Sequence, residues 1–283
     1  MLERWTFDPA VAFGLAVAGV VYIRAERGVC RAHGGRRLPR ARRRQFLAGL
    51  GIIFIALESP IDAGSATSFS THMVQHLVLT MLAAPLLVLG APVTLAFLAW
   101  SPGSRRLLSA VLRRPPLRTL SDPIIAWALF FGALWGSHFT GLFDASLRSH
   151  AVHALEHVAY LGTAAVFWMP VVGRDPTPSG LSHPARILYL FFAMASMALL
   201  GLALFSANHV VYPTYAAIEG TRAAADQRMG GGLMWVGGMV FVVPALVLVM
   251  LDWMRADDLA ARRMDVRLLR TELSAETLGA AER

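Results

Sequence analysis

Residues 73–100 read MVQHLVLTMLAAPLLVLGAPVTLAFLAW and contain no aspartate, glutamate, lysine or arginine. A helix of about 20 mostly apolar residues crosses the hydrocarbon core of a bilayer, so this stretch exceeds the length of one crossing. We therefore predict a membrane-spanning helix here. Pro85 and the Gly90-Ala91-Pro92 sequence predict that it is kinked, or that it ends before a short interfacial piece.

The rest of the chain extends this prediction to a bundle. Six further apolar stretches meet or approach the length of a span: 8–23, 46–57 with an extension to 61, 123–139, 151–172, 184–207 and 233–253. The second is the weakest because Glu58 and Asp62 lie at its end. We predict an all-α integral membrane protein, with seven transmembrane helices in one bundle over residues 1–254. An amphipathic cytoplasmic tail helix is predicted over 255–283.

Composition excludes several other classes. Hydrophobic residues make up 56% of the chain and charged residues 16%, whereas soluble domains have about 45–50% and about 25%. So apolar a chain is not intrinsically disordered. The single cysteine, Cys30, excludes an intramolecular disulfide framework and a thiolate metal cluster. No phosphate-loop motif for ATP chemistry occurs.

The positions of the arginines predict the topology. All 26 basic residues are arginines, and the net charge of +8 would also fit a nucleic-acid partner. However, 22 of the 26 lie on alternate segments between the predicted spans, nine of them between positions 24 and 44. Positive charge stays on the cytoplasmic side. We therefore expect an outer N-terminus, a cytoplasmic C-terminus, contact with membrane lipids and no nucleic-acid partner; a homo-oligomer is compatible with this topology.

This topology sorts the nine histidines by side. His33 and His183 fall in predicted cytoplasmic loops, and the other seven fall at or near outer helix ends: His72, His76, His138, His150, His153, His157 and His209. Two helical stripes stand out among the seven. His72 and His76 are four residues apart, and so are His153 and His157, which places each pair on one helix face.

The two histidine pairs predict a metal site at the outer face. Ionisable side chains inside a membrane segment are costly and mark functional sites, and neutral imidazole is the commonest side-chain metal ligand. Imidazole suits copper, zinc, iron and nickel. The predicted ligands are His72, His76, His153 and His157.

Four further residues are weaker candidates for this site. Glu156 lies beside His153 and His157 in the sequence and would orient a histidine rather than bind the ion. Asp226, in the last outer loop, would do the same. Met73 would favour Cu(I) through its thioether, and His209 ends the sixth span on the same side.

Other interpretations of the histidines remain open at this point. A b-type haem could be held between His76 and His157, because bis-histidine ligation takes one ring from each of two facing helices. The histidines and Glu156 could instead line a proton or solute pathway. Polar packing between helices is the third alternative.

Four segments of the sequence resemble one family. They are THMVQHLVLTMLAAPLLVLGAP (71–92), FDASL (143–147), the segment from HALEH to FWMP (153–170), and the segment holding YPTY, DQ and GGLMW (212–235). In these segments the chain resembles the CtaG family of cytochrome c oxidase assembly factors, associated with caa-type oxidases. The family usually has tyrosine where this chain has Phe143.

The resemblance implies a function and a set of residues. A CtaG-like chain is expected to be a non-enzymatic, seven-helix protein of the bacterial cytoplasmic (inner) membrane. It would deliver copper to the CuB centre in subunit I of cytochrome c oxidase and receive copper from an extracytoplasmic donor. The positions that match the family pattern are His72, Met73, Gln75, His76, His153, Glu156, His157, Tyr212, Asp226 and Gln227.

Overall fold

The computed structural model describes residues 5–32, 39–112, 114, 119–172 and 180–281. Every regular element in these ranges is a helix, which confirms the all-α class. The α-helices, numbered α1 to α13 in chain order, are Pro9–Ala32, Arg40–Glu58, Pro60–Ser65, Phe69–Leu77, Ala84–Leu89, Pro92–Ala99, Pro102–Leu112, Pro123–Phe139, Leu142–Arg148, His150–Val172, His183–Phe205, Pro213–Glu219 and Ala223–Ala281. A π-helix over Val78–Ala83 joins α4 to α5.

Five helical segments are long and apolar enough to cross a membrane. They are Pro9–Ala32, Phe69–Ala99, His150–Val172, His183–Phe205 and Pro213–Leu268. The pair α8 and α9, bent by 71°, makes a sixth if it counts as one span. These segments coincide with six of the seven predicted spans. The remaining predicted span, 46–57, lies within α2. This helix is not one of the five segments because arginines fill its first turn. The count of seven spans and their orientation therefore stay predictions.

The segment that starts at Phe69 is interrupted at the predicted place. Ala91 has a left-handed φ of 50°, and α6 restarts at Pro92. The π-helix ends just before Pro85, and a proline lacks the N–H that an α-helix would need there. The carbonyl of Thr80 in the π-helix accepts a 2.9 Å hydrogen bond from the indole of Trp168 on α10. The irregular backbone is therefore satisfied from a neighbouring helix.

The last helix, α13, differs from its predicted start. It begins at Ala223 rather than at 233 and continues without a break through position 254 to Ala281. The glycines near the predicted start lie inside this helix, and Gly231 packs against α11. A Cβ on Gly231 would lie 2.7 Å from the carbonyl oxygen of Gly201 on α11, so only glycine allows the two backbones to approach so closely. Gly231 therefore permits close packing of α13 against α11.

The helix α4 lies inside the bundle. Phe69, Met73 and Leu77 are all buried and belong to one core cluster with residues of α8, α10, α11 and α13. His72 and His76 lie on another face of the same helix and are also buried. The position of α4 in the core is therefore what carries two polar side chains into the interior of an apolar bundle.

Candidate metal site

The start of α4 is fixed by two caps. The side chain of Ser68 accepts a hydrogen bond from the amide of Thr71, and Asp226 on α13 accepts one from the amide of Ser70 at 3.0 Å. Asp226 also accepts hydrogen bonds from the hydroxyls of both serines. A carboxylate at a helix N-terminus accepts hydrogen bonds from free amides and is attracted to the positive end of the helix dipole. These caps determine where the first turn of α4, which carries His72, lies against α13.

The four predicted ligands converge on one point. Each of His72, His76, His153 and His157 offers one ring nitrogen, and these four atoms lie within 4.8 Å of one another. The Nε2 atoms of His72 and His76 are 3.0 Å apart. Two metal–nitrogen bonds of about 2.0 Å at a tetrahedral angle would place their nitrogens about 3.3 Å apart. These two atoms are therefore within hydrogen-bond distance of each other, and their spacing is also close to that of two ligands of one ion.

The four imidazole rings surround a single small volume. Neighbouring ring centroids are 4.4 Å apart for His72 and His76, and 4.2 Å apart for His153 and His157. Between the two helices, the distances are 5.1 Å from His72 to His153 and 5.5 Å from His76 to His157. The exposed fraction is 0% for His72 and 4% for His76, whereas His153 is partly exposed. The site thus lies below the protein surface, and the α10 histidines are its more exposed side.

A hydrogen-bond chain assigns the proton on His72. The hydroxyl of Tyr215 donates its hydrogen to the carbonyl oxygen of Ser65. Its oxygen also lies 2.9 Å from Nδ1 of His72. Because a phenol has one hydrogen and a carbonyl can only accept, Nδ1 of His72 must be the donor in this contact. The lone pair of neutral His72 is then on Nε2, the atom that faces the other histidines.

Several ring nitrogens in the site have no hydrogen-bond partner in the described part of the chain. They are buried, and they are Nδ1 of His76 and the Nε2 atoms of His153 and His157. Buried polar atoms almost always have partners, and each exception calls for an explanation such as an ion. Among the described residues, no hydrogen bond joins the α4 histidines to the α10 histidines. Polar packing between these helices is therefore a poor explanation of the cluster.

The weaker candidates lie outside this cluster. Met73 turns toward α13, where its side chain lies against Gly230. His209 is exposed, and its carbonyl oxygen accepts a hydrogen bond from Gln227. Asp226 bonds the serines of α4 rather than a histidine. Glu156 is buried, but it makes no hydrogen bond to a histidine within the described ranges.

Two other residues of the matching pattern join segments of the backbone. Gln75 donates to the carbonyl oxygen of Ala56 at 2.9 Å and to Asp62 at 2.8 Å, which ties α4 to α2 and α3. Gln227 accepts a hydrogen bond from the amide of Val211 at 2.7 Å. Both side chains are buried, so they hold the helices that frame the site.

An aromatic layer that the spacing of histidines did not reveal surrounds the cluster. The ring of Phe143 lies 4.8 Å from that of His72 and is stacked on His138 at 4.9 Å. Tyr160 meets His76 edge-on at 4.6 Å. His138 is buried outside the cluster, where its Nδ1 lies 2.7 Å from the hydroxyl of Tyr212. The sequence signal for part of this aromatic layer was the YPTY motif, which contains Tyr212 and Tyr215 three residues apart.

The family described as "Cytochrome c oxidase caa3 assembly factor (Caa3_CtaG)" matches residues 20–256. The chain belongs to the Caa3_CtaG family. This confirms the resemblance, and it extends the match well beyond the segment 70–236 that carries the motifs.

Proteins of mycobacteria are similar to this family member over most of its length. An uncharacterised protein of Mycobacterium leprae (strain TN) is 31% identical over 277 residues, which cover 92% of this chain and 41% of that protein. An uncharacterised protein of Mycobacterium bovis is 31% identical over 276 residues, 94% of this chain and 42% of that protein. The chain thus spans about two fifths of the length of these relatives. No solved structure matches it.

Proposed function

We propose that this chain binds one copper ion between His72, His76, His153 and His157 and delivers it to the CuB centre of cytochrome c oxidase, in subunit I. The observation that carries the binding step is the convergence of four imidazole side chains, three of which have a buried ring nitrogen without a hydrogen-bond partner among the described residues. The choice of copper rests on the family, since imidazole alone suits zinc as well.

Delivery of copper to an acceptor requires ligands that can release the ion. The α4 side of the cluster is anchored, because His72 is buried and oriented by Tyr215. The α10 side is not held in this way, since the Nε2 atoms of His153 and His157 have no partner and His153 is partly exposed. An incoming ligand from the acceptor would therefore replace the α10 histidines first. An extracytoplasmic donor would load the site from the same α10 side.

The arrangement favours an ion over a haem. A macrocycle held by His76 and His157 would have to lie between two rings whose centroids are 5.5 Å apart. His72 and His153 already lie beside that gap, 5.1 Å from each other. Both rings would have to leave for a haem to enter, whereas a single ion fits where the four nitrogens meet.

The binding step is tested by elemental analysis and copper titration of the purified full-length chain. We expect wild type to bind one copper per chain and the double variant His72→Ala with His76→Ala to bind none. His209→Ala is the matched control, because it removes an exposed histidine outside the cluster. A wild type without copper, or a double variant that keeps it, would refute binding. A Soret band in the absorption spectrum would favour haem.

The delivery step is tested in cells that lack the endogenous gene. The double histidine variant should leave the oxidase with low CuB occupancy and low activity, whereas His209→Ala should restore both. If the double variant supports a fully active oxidase, delivery through this site is wrong even where the copper titration succeeds. The two experiments therefore separate binding from delivery.

A further inference from the structure

A second candidate site lies at the C-terminal end of α1, far along the chain from the histidine cluster. A cavity of about 550 Å³ opens there between α1 and α2. Its lining residues are mostly arginines: Arg24, Arg27, Arg31, Arg40 and Arg43, together with Glu26 and Cys30. The metal site makes no use of these residues.

The helices that form this cavity are held together below it. The ring of Tyr22 on α1 is stacked on that of Phe46 on α2, with centroids 4.1 Å apart and planes 11° apart. The hydroxyl of Tyr22 donates to the carbonyl oxygen of Gly90 at 2.7 Å, where the third span is interrupted. The walls of the cavity are therefore positioned by packing and do not depend on a ligand.

The charge in the cavity is far from balanced. Among the described residues that line the cavity, Glu26 is the single acidic one, and it lies 3.5 Å from Arg43. The other four arginines have no carboxylate partner within the described part of the chain. Arginine forms paired hydrogen bonds with phosphate oxygens through its planar guanidinium. Such a concentration of unneutralised guanidinium groups is suited to a phosphate group.

The surface next to the cavity is apolar. Val17, Val20 and Val21 on α1 are 43%, 47% and 59% exposed. They lie seven, four and three residues before Arg24, so they share a helix face with it. A ligand whose phosphate reached Arg24 would thus have an apolar track beside it, within a helix long enough to span the membrane.

We propose that this cavity binds the headgroup of an anionic phospholipid, with its acyl chains along the valine track. The arginine bias predicts that this end of α1 is cytoplasmic, the leaflet that carries anionic lipid. Free phosphate shares the headgroup chemistry, but it would leave the valine track uncovered. The proposal is independent of copper binding.

Cys30 makes the test direct, because it lines the cavity and is the only cysteine of the chain. The rate of maleimide labelling of Cys30 is measured on the full-length chain in detergent micelles. The probes are cardiolipin, phosphatidylcholine with the same acyl chains, and inorganic phosphate. We expect cardiolipin to slow labelling several-fold, and the other two probes to leave the rate unchanged. Lipid retained in native mass spectrometry provides a second readout.

A triple variant and a matched control identify the site. Each arginine near an anionic lipid surface contributes a factor of about five in affinity. Removing three should therefore raise the cardiolipin concentration that half-protects Cys30 by about 100-fold. The variant is Arg24→Gln, Arg27→Gln and Arg31→Gln; the control, with the same change in charge on the exposed tail, is Arg255→Gln, Arg262→Gln and Arg263→Gln.

Three outcomes would overturn the proposal. The first is that cardiolipin gives no protection of Cys30. The second is protection that the triple variant keeps, or that the tail control loses equally. The third is equal protection by inorganic phosphate, which would assign the cavity to a soluble anion instead of a lipid.

Discussion

Replacing Tyr215 by phenylalanine removes one oxygen atom and leaves the ring that packs in the core. That oxygen receives the Nδ1 hydrogen of His72 at 2.9 Å. Because His72 is 0% and Tyr215 is 1% exposed, bulk solvent does not reach the N–H that loses its partner. The buried N–H would be left unsatisfied, or the ring would turn and withdraw Nε2 from the site.

The expected loss of copper affinity follows from the role of the Tyr215 hydroxyl, which orients His72. Partners that orient a metal-binding histidine are worth about 10–100-fold in metal affinity, which equals about 1.4–2.7 kcal/mol. We therefore expect Tyr215→Phe to bind copper about 10–100-fold more weakly than wild type. Binding should not be abolished, because all four histidines remain.

The assay is a competition titration against a copper chelator, with the purified chain in detergent. Tyr212→Phe is the matched control, since its hydroxyl makes the same kind of bond, 2.7 Å from Nδ1 of His138, outside the cluster. A thermal denaturation curve of each variant checks that the bundle is intact. Wild-type affinity in Tyr215→Phe, or an equal loss in Tyr212→Phe, would refute the assignment of the His72 proton.

Two further predictions concern the helices that frame the site. Gly231→Ala should lower the thermal denaturation midpoint by an amount equivalent to about 1–3 kcal/mol, because the new Cβ would lie within 2.7 Å of backbone atoms of α11. Gly232→Ala, whose Cβ has its nearest neighbour at 3.8 Å, should change little; equal effects of the two would contradict the close-packing argument. Asp226→Ala removes the carboxylate that accepts from the amide of Ser70 and should cost about 1–2 kcal/mol. Asp226→Ala should also weaken copper binding a few-fold, because the first turn of α4 carries His72. An unchanged denaturation midpoint together with unchanged copper affinity would show that this cap is dispensable.

Much of the fold could be read from local patterns. The run of 28 uncharged residues at 73–100 predicted a span and its interruption, and Ala91 with Pro92 forms that interruption. The prediction of a span was weaker where an apolar stretch lies directly beside charged residues. The stretch 46–57 is apolar, but its helix starts among arginines at Arg40, so length and composition alone do not mark α2 as a span.

The candidate site was predictable to the level of the two histidine pairs. A spacing of four residues places each pair on one face of a helix, whatever the rest of the chain does. Glu156, Met73, His209 and Asp226 were chosen by proximity in sequence or by predicted depth. Neither reveals the direction of a side chain: Glu156, His209 and Asp226 are not in the cluster, and Met73 packs against Gly230.

Sequence alone therefore determined the helical class, the candidate spans and the two stripes of histidine, because each follows from periodicity and composition within one segment. Only the tertiary structure brought α4 and α10 together so that four nitrogens meet. It also placed Tyr215, 143 positions away along the chain, against His72. The physical reason is that a proton on one ring nitrogen is set by a hydrogen bond across the bundle, and such a contact has no signature in the local sequence of either partner.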